Sequence, residues 1–406
     1  MKLFDTIIIG GGPAGLFTAL NCKGRSTLVL EKNPTPGKKL LISGSGRCNV
    51  THVGDISDFL KHYGDNYKFL KVALQHFTNQ DLVNFLKKRG LQTITDKNGK
   101  VFPDTGNAAD ILQILLHECR KNNVAIHNDN SVTSIKKTES LFHVKTQDSE
   151  FTCRNLVICT GGNSYPATGS TGDGYQFAKK LAHSIVPPKP ALTPVFIRDF
   201  TMIELAGVSL QDKPIYLYRE NKKINEHRGD IGFTHKGLSG PGILDFSRHI
   251  HAGDILKINF IGENADEFRK SFIETTAKEG KITLQLFLRK YDLPKSLVKI
   301  ILQQLNIEPD HNLANVQKNM RNQLVSSFCE YPFYVEKTGG FNMAMTTKGG
   351  VSLPEVSPKT MESKLVPHLY FAGEVLDIDG DTGGYNIQAA FSTGHLAAIS
   401  INARID

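Results

Sequence analysis

The chain opens on a short apolar run, residues 4–9 (FDTIII), that stops at glycine. A β-branched run of this length predicts a strand buried inside a parallel sheet. Residues 13–22 predict a helix with the small residues Ala14, Gly15 and Ala19 on one side, and residues 26–31 (STLVLE) a second buried strand. Together they predict a βαβ unit at the very start of the chain. Residues 33–51 keep neither period and read as a long loop. Helices are expected over 79–90, with Asn79 as N-cap and Gly90 as stop, and over 107–121, with Asn107 as N-cap. Residues 124–152 suggest short antiparallel strands, and residues 155–160 (NLVICT) a buried strand running into Gly161 and Gly162.

The pattern changes around Pro187, Pro188 and Pro190, a natural place for a domain boundary. Between 191 and 265 short alternating strands dominate (PVFIRD, PIYLYRE, DILKINF); between 266 and 328 the period is helical. Strand character returns at 331–335 and 368–373 (HLYFAG), and residues 386–400 predict a long helix rich in small residues. The expected fold class is α/β, with three parts. These are residues 1–190 with 341–406, an antiparallel β part at 191–265 with 329–340, and a small helical part at 266–328.

At 406 residues and 40% hydrophobic composition, the chain suits two or three globular domains of roughly 150 residues each. No apolar run approaches the roughly 20 residues of a membrane-spanning helix. The N-terminus lacks the long apolar core of a secretory signal, so a cytoplasmic protein with no membrane partner is expected. Cys22, Cys48, Cys119, Cys153, Cys159 and Cys329 form no CxxC or metal-ligand spacing. That argues against a zinc module, a disulfide scaffold and a redox dithiol, and no metal site is expected. Net charge is +8, but its densest clusters are Lys87-Lys88-Arg89 at a helix end and Lys136-Lys137 beside a turn. Lysine at a helix C-terminus is ordinary dipole compensation, so composition alone does not point to nucleic acid. The sequence is silent on oligomeric state.

Gly10-Gly11-Gly12-Pro13-Ala14-Gly15 is a G-x-G-x-x-G between strand and helix. Gly10 permits the tight turn, Gly12 lets backbone approach a pyrophosphate, and Gly15 allows close helix–strand packing. The helix N-terminus offers free N–H groups to phosphate. Glu31, ending the next strand, is placed to accept hydrogen bonds from ribose hydroxyls. A second element lies far away: Phe371-Ala372-Gly373-Glu374, then Gly383-Gly384-Tyr385-Asn386-Ile387-Gln388 opening the last helix. A ligand touching both regions must be long, and FAD has that shape. A nicotinamide enzyme would need neither element, and no second G-x-G-x-x-G follows a strand. NAD(P)H is therefore expected, if at all, as a transient electron donor.

Residues 37–51, GKKLLISGSGRCNVT, resemble the GKKLLISGGGRCNxT signature of the bacterial three-domain NAD(P)/FAD-dependent oxidoreductases often labelled the aminoacetone oxidase family. Residues 169–175 (GSTGDGY), 233–241 (FTHKGLSGP), 347–351 (TKGGV) and 373–388 match it in the same order. The resemblance implies a glutathione-reductase-like FAD-binding Rossmann domain interrupted by a β domain that carries a small helical domain. It puts Gly10, Gly12, Pro13, Ala14, Gly15, Glu31 and Lys32 on the ADP half of FAD, with Val132 near the adenine. Lys39, Leu40, Gly44, Gly46, Arg47, Cys48 and Asn49 would lie beside the pyrophosphate or flavin. Thr160, Gly161, Gly162, Gly172 and Asp173 would close the strand end under the cofactor. Gly373 and Glu374 would meet the ribityl or phosphate region, and Gly384, Tyr385, Asn386 and Ile387 the flavin. Ser45 stands where the family often has glycine, which is tolerable unless its φ is positive.

Three side chains are catalytic candidates: His235 in a polar loop, Tyr385 beside the flavin, and Cys48, for which packing is the plainer role. The implied activity is FAD-dependent oxidation of a small organic substrate, such as a small amine with O2 as acceptor. An alternative is reduction of an unsaturated or keto substrate with NAD(P)H. A flavoprotein that binds or modifies RNA ranks below both, because no basic tract is interleaved with aromatics.

Overall fold

The computed structural model describes residues 2–404. Contacts divide it into two compact units, residues 1–191 with 341–406 and residues 192–340. The second unit is thus one continuous insertion into the first.

In the first unit, Lys2–Ile9 pairs in parallel with Thr27–Leu30 on one side and Glu150–Ile158 on the other. The seven-stranded sheet has the order Ala125–His127, Thr27–Leu30, Lys2–Ile9, Glu150–Ile158, Phe142–Thr146, Val132–Lys137. Leu369–Phe371 joins in parallel against the C-terminal half of Glu150–Ile158. Ile7, Ile8, Leu28, Val29, Leu156, Val157 and Ile158 are wholly buried, as expected of strands covered on both faces. The stretch 124–152 departs from the sequence expectation. Ala125–His127 is a parallel edge strand beside Thr27–Leu30, and only the two strands after it are antiparallel. Periodicity does not distinguish these cases, because pairing direction is set by the crossover helix Ala108–Lys121.

The first helix, Pro13–Asn21, lies along the last, Tyr385–Asn402, and they meet through small residues. A Cβ on Gly394 would stand 2.6 Å from the Ala14 carbonyl oxygen, and Thr18 Oγ1 donates to Gly394 O. Two caps and loops differ from expectation. The helix at Asn79–Lys87 is capped by Thr78, in a reciprocal box with Asp81, rather than by Asn79. The segment read as a loop contains a helical turn, Lys38–Ile42, and a 3-10 turn, Ser43–Gly46. Ser45 sits there at φ 58°, so the side chain that replaces the family's glycine accepts a left-handed conformation that costs about 1 kcal/mol. The prolines at the expected boundary lie within a strand, Ile185–Ala191, whose register shifts between Val186 and Lys189.

The second unit is a closed six-stranded barrel, ordered Val195–Ile197, Gly237–Ser239, Lys222–Phe233, Ser209–Arg219, Ile255–Ile258, Tyr331–Thr338. Helices between Ala265 and Cys329 leave and re-enter it. Their buried residues Phe268, Phe272, Phe287 and Phe328 belong to the same apolar core as the barrel's Leu217, Ile231 and Phe333. Among the described residues no helix is long and apolar enough to cross a membrane.

Candidate functional site

The strand ends of the parallel sheet open on a cleft enclosing about 1220 Å³ of empty space, counting its open mouth. One end is lined by Glu31, Lys32 and Val132, the middle by Gly10, Gly12, Thr160 and Lys39, and the other by Glu374, Asn386 and Ile387. The lining therefore joins the first strand–helix turn to the start of the last helix, as an elongated ligand requires.

At the first end, Glu31 is 6% exposed. Its Oε2 accepts from Gly11 N at 2.8 Å, and its Oε1 accepts from Asn33 N at 2.8 Å and Asn33 Nδ2 at 2.7 Å. Three donors fix the carboxylate's plane, and Asn33 is a positioning residue that sequence reasoning missed. Lys32 Nζ is drawn to Asp173 Oδ2 at 2.6 Å and also meets Thr171 Oγ1.

In the middle, the helix Pro13–Asn21 has no side-chain cap and no acid in its first turn. Its N-terminal dipole is left for an outside anion. A Cβ on Gly12 would find no atom within 4 Å, whereas one on Gly15 would fall 2.0 Å from Gly10 O. Gly12 thus faces open space, and Gly15 is spent on the turn itself. Thr160 Oγ1, in the cleft lining, is buried without a partner.

Further along, Lys39 Nζ stands 2.7 Å from Glu374 Oε2, with side chains 25% and 20% exposed. Glu374 Oε1 accepts from Thr347 N at 3.0 Å, and Thr347 Oγ1 accepts from Asn163 N and Ser164 N. The carboxylate is thereby tied to both neighbouring loops. Burial and the facing carboxylates of Glu374 and Asp377 push the Tyr175 phenol up. Burial raises the Asp377 carboxyl too.

At the far end, Asn386 lines the cleft while its side chain is spent on the preceding loop, accepting from Gly380 N at 2.8 Å and donating to Gly380 O at 2.8 Å. Tyr385 turns the other way. Its ring stacks between His62, at 4.2 Å, and His52, at 5.2 Å, with Phe59 and Tyr63 edge-on. His62 Nδ1 in turn lies 2.9 Å from Asp381 Oδ2. Tyr385 holds the helix start and is not among the residues lining the cleft.

Pro13, Ala14, Leu40, Gly161, Asp173 and Gly373 also line the cleft; Gly44, Gly46, Arg47, Asn49, Gly162, Gly172 and Gly384 do not. Arg47 is exposed, its guanidinium 4.7 Å over the Phe102 ring. Cys48 is wholly buried, and burial pushes its thiol up to about 12. It packs in the core, and a redox role is not supported. His235 lies exposed in the turn between two barrel strands, in the other unit. Ser43, Ser170 and Met345 line the cleft without having been singled out. Ser170 sat inside the quoted GSTGDGY motif, but Met345 carried no signal. No cluster of His, Cys, Asp and Glu that could hold a metal is found among the described residues.

An elongated cleft, an uncapped helix N-terminus beside open space at Gly12, an orphaned Thr160 hydroxyl and a pre-oriented Glu31 all fit FAD, with the ADP half at the Glu31 end. The fold and the site define a flavin-dependent oxidoreductase. Over residues 4–400 the chain matches the family described as HI0933-like protein Rossmann domain, and it belongs to that family of FAD-dependent oxidoreductases. It is similar, at 34% identity over 98% of both chains, to the ribosomal RNA dihydrouridine synthase of Escherichia coli (strain K12). It is 30% identical, over 96% of this chain and 97% of the other, to the 3-dehydro-bile acid delta(4,6)-reductase of Clostridium scindens. Among solved structures, a 3-ketosteroid-delta4-(5alpha)-dehydrogenase from Rhodococcus jostii RHA1 shares the fold, with TM-score 0.53, 15% identity, and coverage of 99% of this chain and 97% of that one.

Proposed function

We propose that this protein reduces a carbon–carbon double bond conjugated to a carbonyl, and that its substrate is the uracil ring of a uridine in ribosomal RNA. The observation that carries the reading is the 34% identity to a ribosomal RNA dihydrouridine synthase over 98% of both chains, so that both units are matched. The bile-acid relative, by its name, removes double bonds from a 3-dehydro substrate. The two names share one chemistry, since the C5=C6 bond of uracil is likewise conjugated to a ring carbonyl. This favours the reductive direction over oxidation of a small amine with O2, and the RNA reading rises accordingly. The place of action is then the cytoplasm, where ribosomal RNA lies.

Bound FAD supplies hydride transfer. The chain's own residues bind and orient it. Glu31, held by Gly11 and Asn33, receives the ribose hydroxyls, and the free N–H groups around Gly12 receive the pyrophosphate. The Lys39–Glu374 pair borders the linker between the two ends, and Asn386 holds the loop before the last helix. The electrons come from NAD(P)H, which reaches the flavin without a dedicated Rossmann domain.

The test is anaerobic incubation of the FAD-loaded protein with NADPH, or NADH, and deproteinised ribosomal RNA, followed by nucleoside mass spectrometry. A uridine gaining two hydrogens is expected. Peroxide release from aminoacetone in air, with no dihydrouridine formed under either donor, would overturn the reading.

A further inference from the structure

Several of the insertion's surface cations are paired locally. Arg219 meets Asp254 at 2.8 Å, Arg228 meets Asp212 at 2.9 Å, Lys257 meets Glu330 at 2.9 Å, and Arg269 meets Asp266 at 2.5 Å. One stretch of the helical excursion gathers cations with few acids beside them in sequence. Between residues 281 and 299 the chain carries Lys281, Arg289, Lys290, Lys295 and Lys299 against the single acid Asp292. All five cations are exposed. Among the described residues none of Lys281, Arg289, Lys295 and Lys299 stands in a salt bridge.

Helix Lys295–Gln304 shows how the cations are displayed. Leu297, Val298, Ile300, Ile301 and Leu302 are buried, whereas Lys295, Lys299 and Gln303, spaced four apart, are exposed. The polar three share one face. The two lysines occupy the first and second turns, with no acid in the first turn. That end of a helix is positive already, so the arrangement opposes the dipole. The neighbouring helix Ala265–Glu279 is ordinary by contrast, with Asp266 and Glu267 in its first turn and Lys278 in its last. Arg289 and Lys290 lie in the 3-10 turn Arg289–Tyr291, which reverses at Asp292 (φ 50°) into the helix bearing Lys295. Lys290 Nζ is held over the Phe287 and Tyr291 rings, at 4.4 and 4.7 Å. Arg289 and Lys290 follow the helix Leu284–Leu288, where cations suit the dipole, but folding stability does not explain Lys295 and Lys299 toward the opposite end of theirs. A polyanion that neutralises them does.

We propose that this cation-rich stretch, residues 281–299, with Lys295 and Lys299 on the exposed face of their helix, binds the sugar–phosphate backbone of the substrate RNA. The inference rests on the ribosomal RNA reading above and adds to it where the RNA is gripped. Phosphate contacts of this kind fix affinity and register rather than choose the base. Base choice is left to the flavin site.

The test compares two charge-reversed proteins with the parent, all loaded with FAD: Lys295→Glu with Lys299→Glu, and a control, Lys68→Glu with Lys71→Glu. The control lysines are exposed on the helix Tyr67–His76 of the other unit, and both pairs change net charge equally. Filter binding to deproteinised ribosomal RNA across a salt series is the readout. The first pair is expected to weaken binding about tenfold or more at low salt and to lower the salt slope by about 1.5, the loss of two phosphate contacts. The control should stay within about twofold. Melting temperature should be unchanged or higher for the first pair, because glutamate suits that helix end. Equal losses from both pairs, or no loss from the first, overturn the proposal, as does a parent that binds anionic vesicles but not RNA. Dihydrouridine formation is scored separately. Pair-specific loss without that product keeps the surface and sinks the uracil reading, while product with pair-insensitive binding does the reverse.

Discussion

Lys39 Nζ and Glu374 Oε2 meet at 2.7 Å across the cleft although 335 residues separate them in the chain. The pair joins the helical turn Lys38–Ile42 to the end of the strand Leu369–Phe371, and Glu374 also accepts from Thr347 N. Replacing Glu374 with glutamine keeps an acceptor for Thr347 but removes the cation's partner. With both side chains about a quarter to a fifth exposed, screening limits the stability loss to about 1 kcal/mol. FAD affinity should fall by more than that, because the loop positions are lost with the pair. Fluorescence titration with FAD and the apoprotein melting temperature together check this.

Gly12 and Gly15 separate folding from cofactor binding. A Cβ at position 15 would overlap the Gly10 carbonyl oxygen, whereas one at position 12 meets nothing, and Gly12 has φ −80°, open to any residue. Gly15→Ala is therefore expected to destabilise the unit by about 3 kcal/mol or more. Gly12→Ala should leave the apoprotein as stable as the parent and abolish FAD uptake. Equal melting curves with normal FAD binding in Gly12→Ala would sink the assignment of the pyrophosphate to this turn.

All six cysteines are buried, and burial raises the thiols of Cys22, Cys48, Cys119, Cys153, Cys159 and Cys329 to about 12. At about pH 8 none should react with an aromatic disulfide reagent in the native state, and six should react in denaturant. Cys48→Ala should retain turnover and lose about 1 kcal/mol of stability.

Acid should destabilise the first unit before its carboxylates titrate. Burial holds both His183 and His395 below the usual histidine value, so the folded state prefers them neutral while the unfolded chain protonates near 6.5. Stability is then full above about pH 7 and falls as pH drops below about 6.5 toward the depressed folded values. His183 is 3% exposed, with Nε2 against Ser363 Oγ at 2.9 Å. Melting between about pH 7.5 and about pH 5 should show the decline, and His183→Asn should flatten part of it. A slope unchanged by that substitution would count against His183 as its source.

Part of the candidate cofactor site was legible in the sequence. Gly10, Gly12, Gly15 and Glu31 lie within one βα turn and the strand after it, so their mutual geometry follows from local backbone rules. The second region was legible as a motif, though the direction of its side chains was not. Adjacent residues on a helix point about 100° apart, and only packing decides which one faces a cleft. Asn386 does so, while Tyr385 is captured by His52 and His62. For residues 44–49, motif membership does not say which residues of a tight turn carry the cleft wall, and none of them lines it.

The amino-acid order by itself determined the buried strands, the glycine turn, the carboxylate that follows it and the switch to a β-rich insertion, because each rests on contacts within about 20 residues. Tertiary structure alone decided the parallel pairing of Ala125–His127, the Lys39–Glu374 link and the inward fate of Cys48. Each of these depends on segments far apart in the chain, and their meeting is set by how the whole sheet and its helices pack rather than by any local preference.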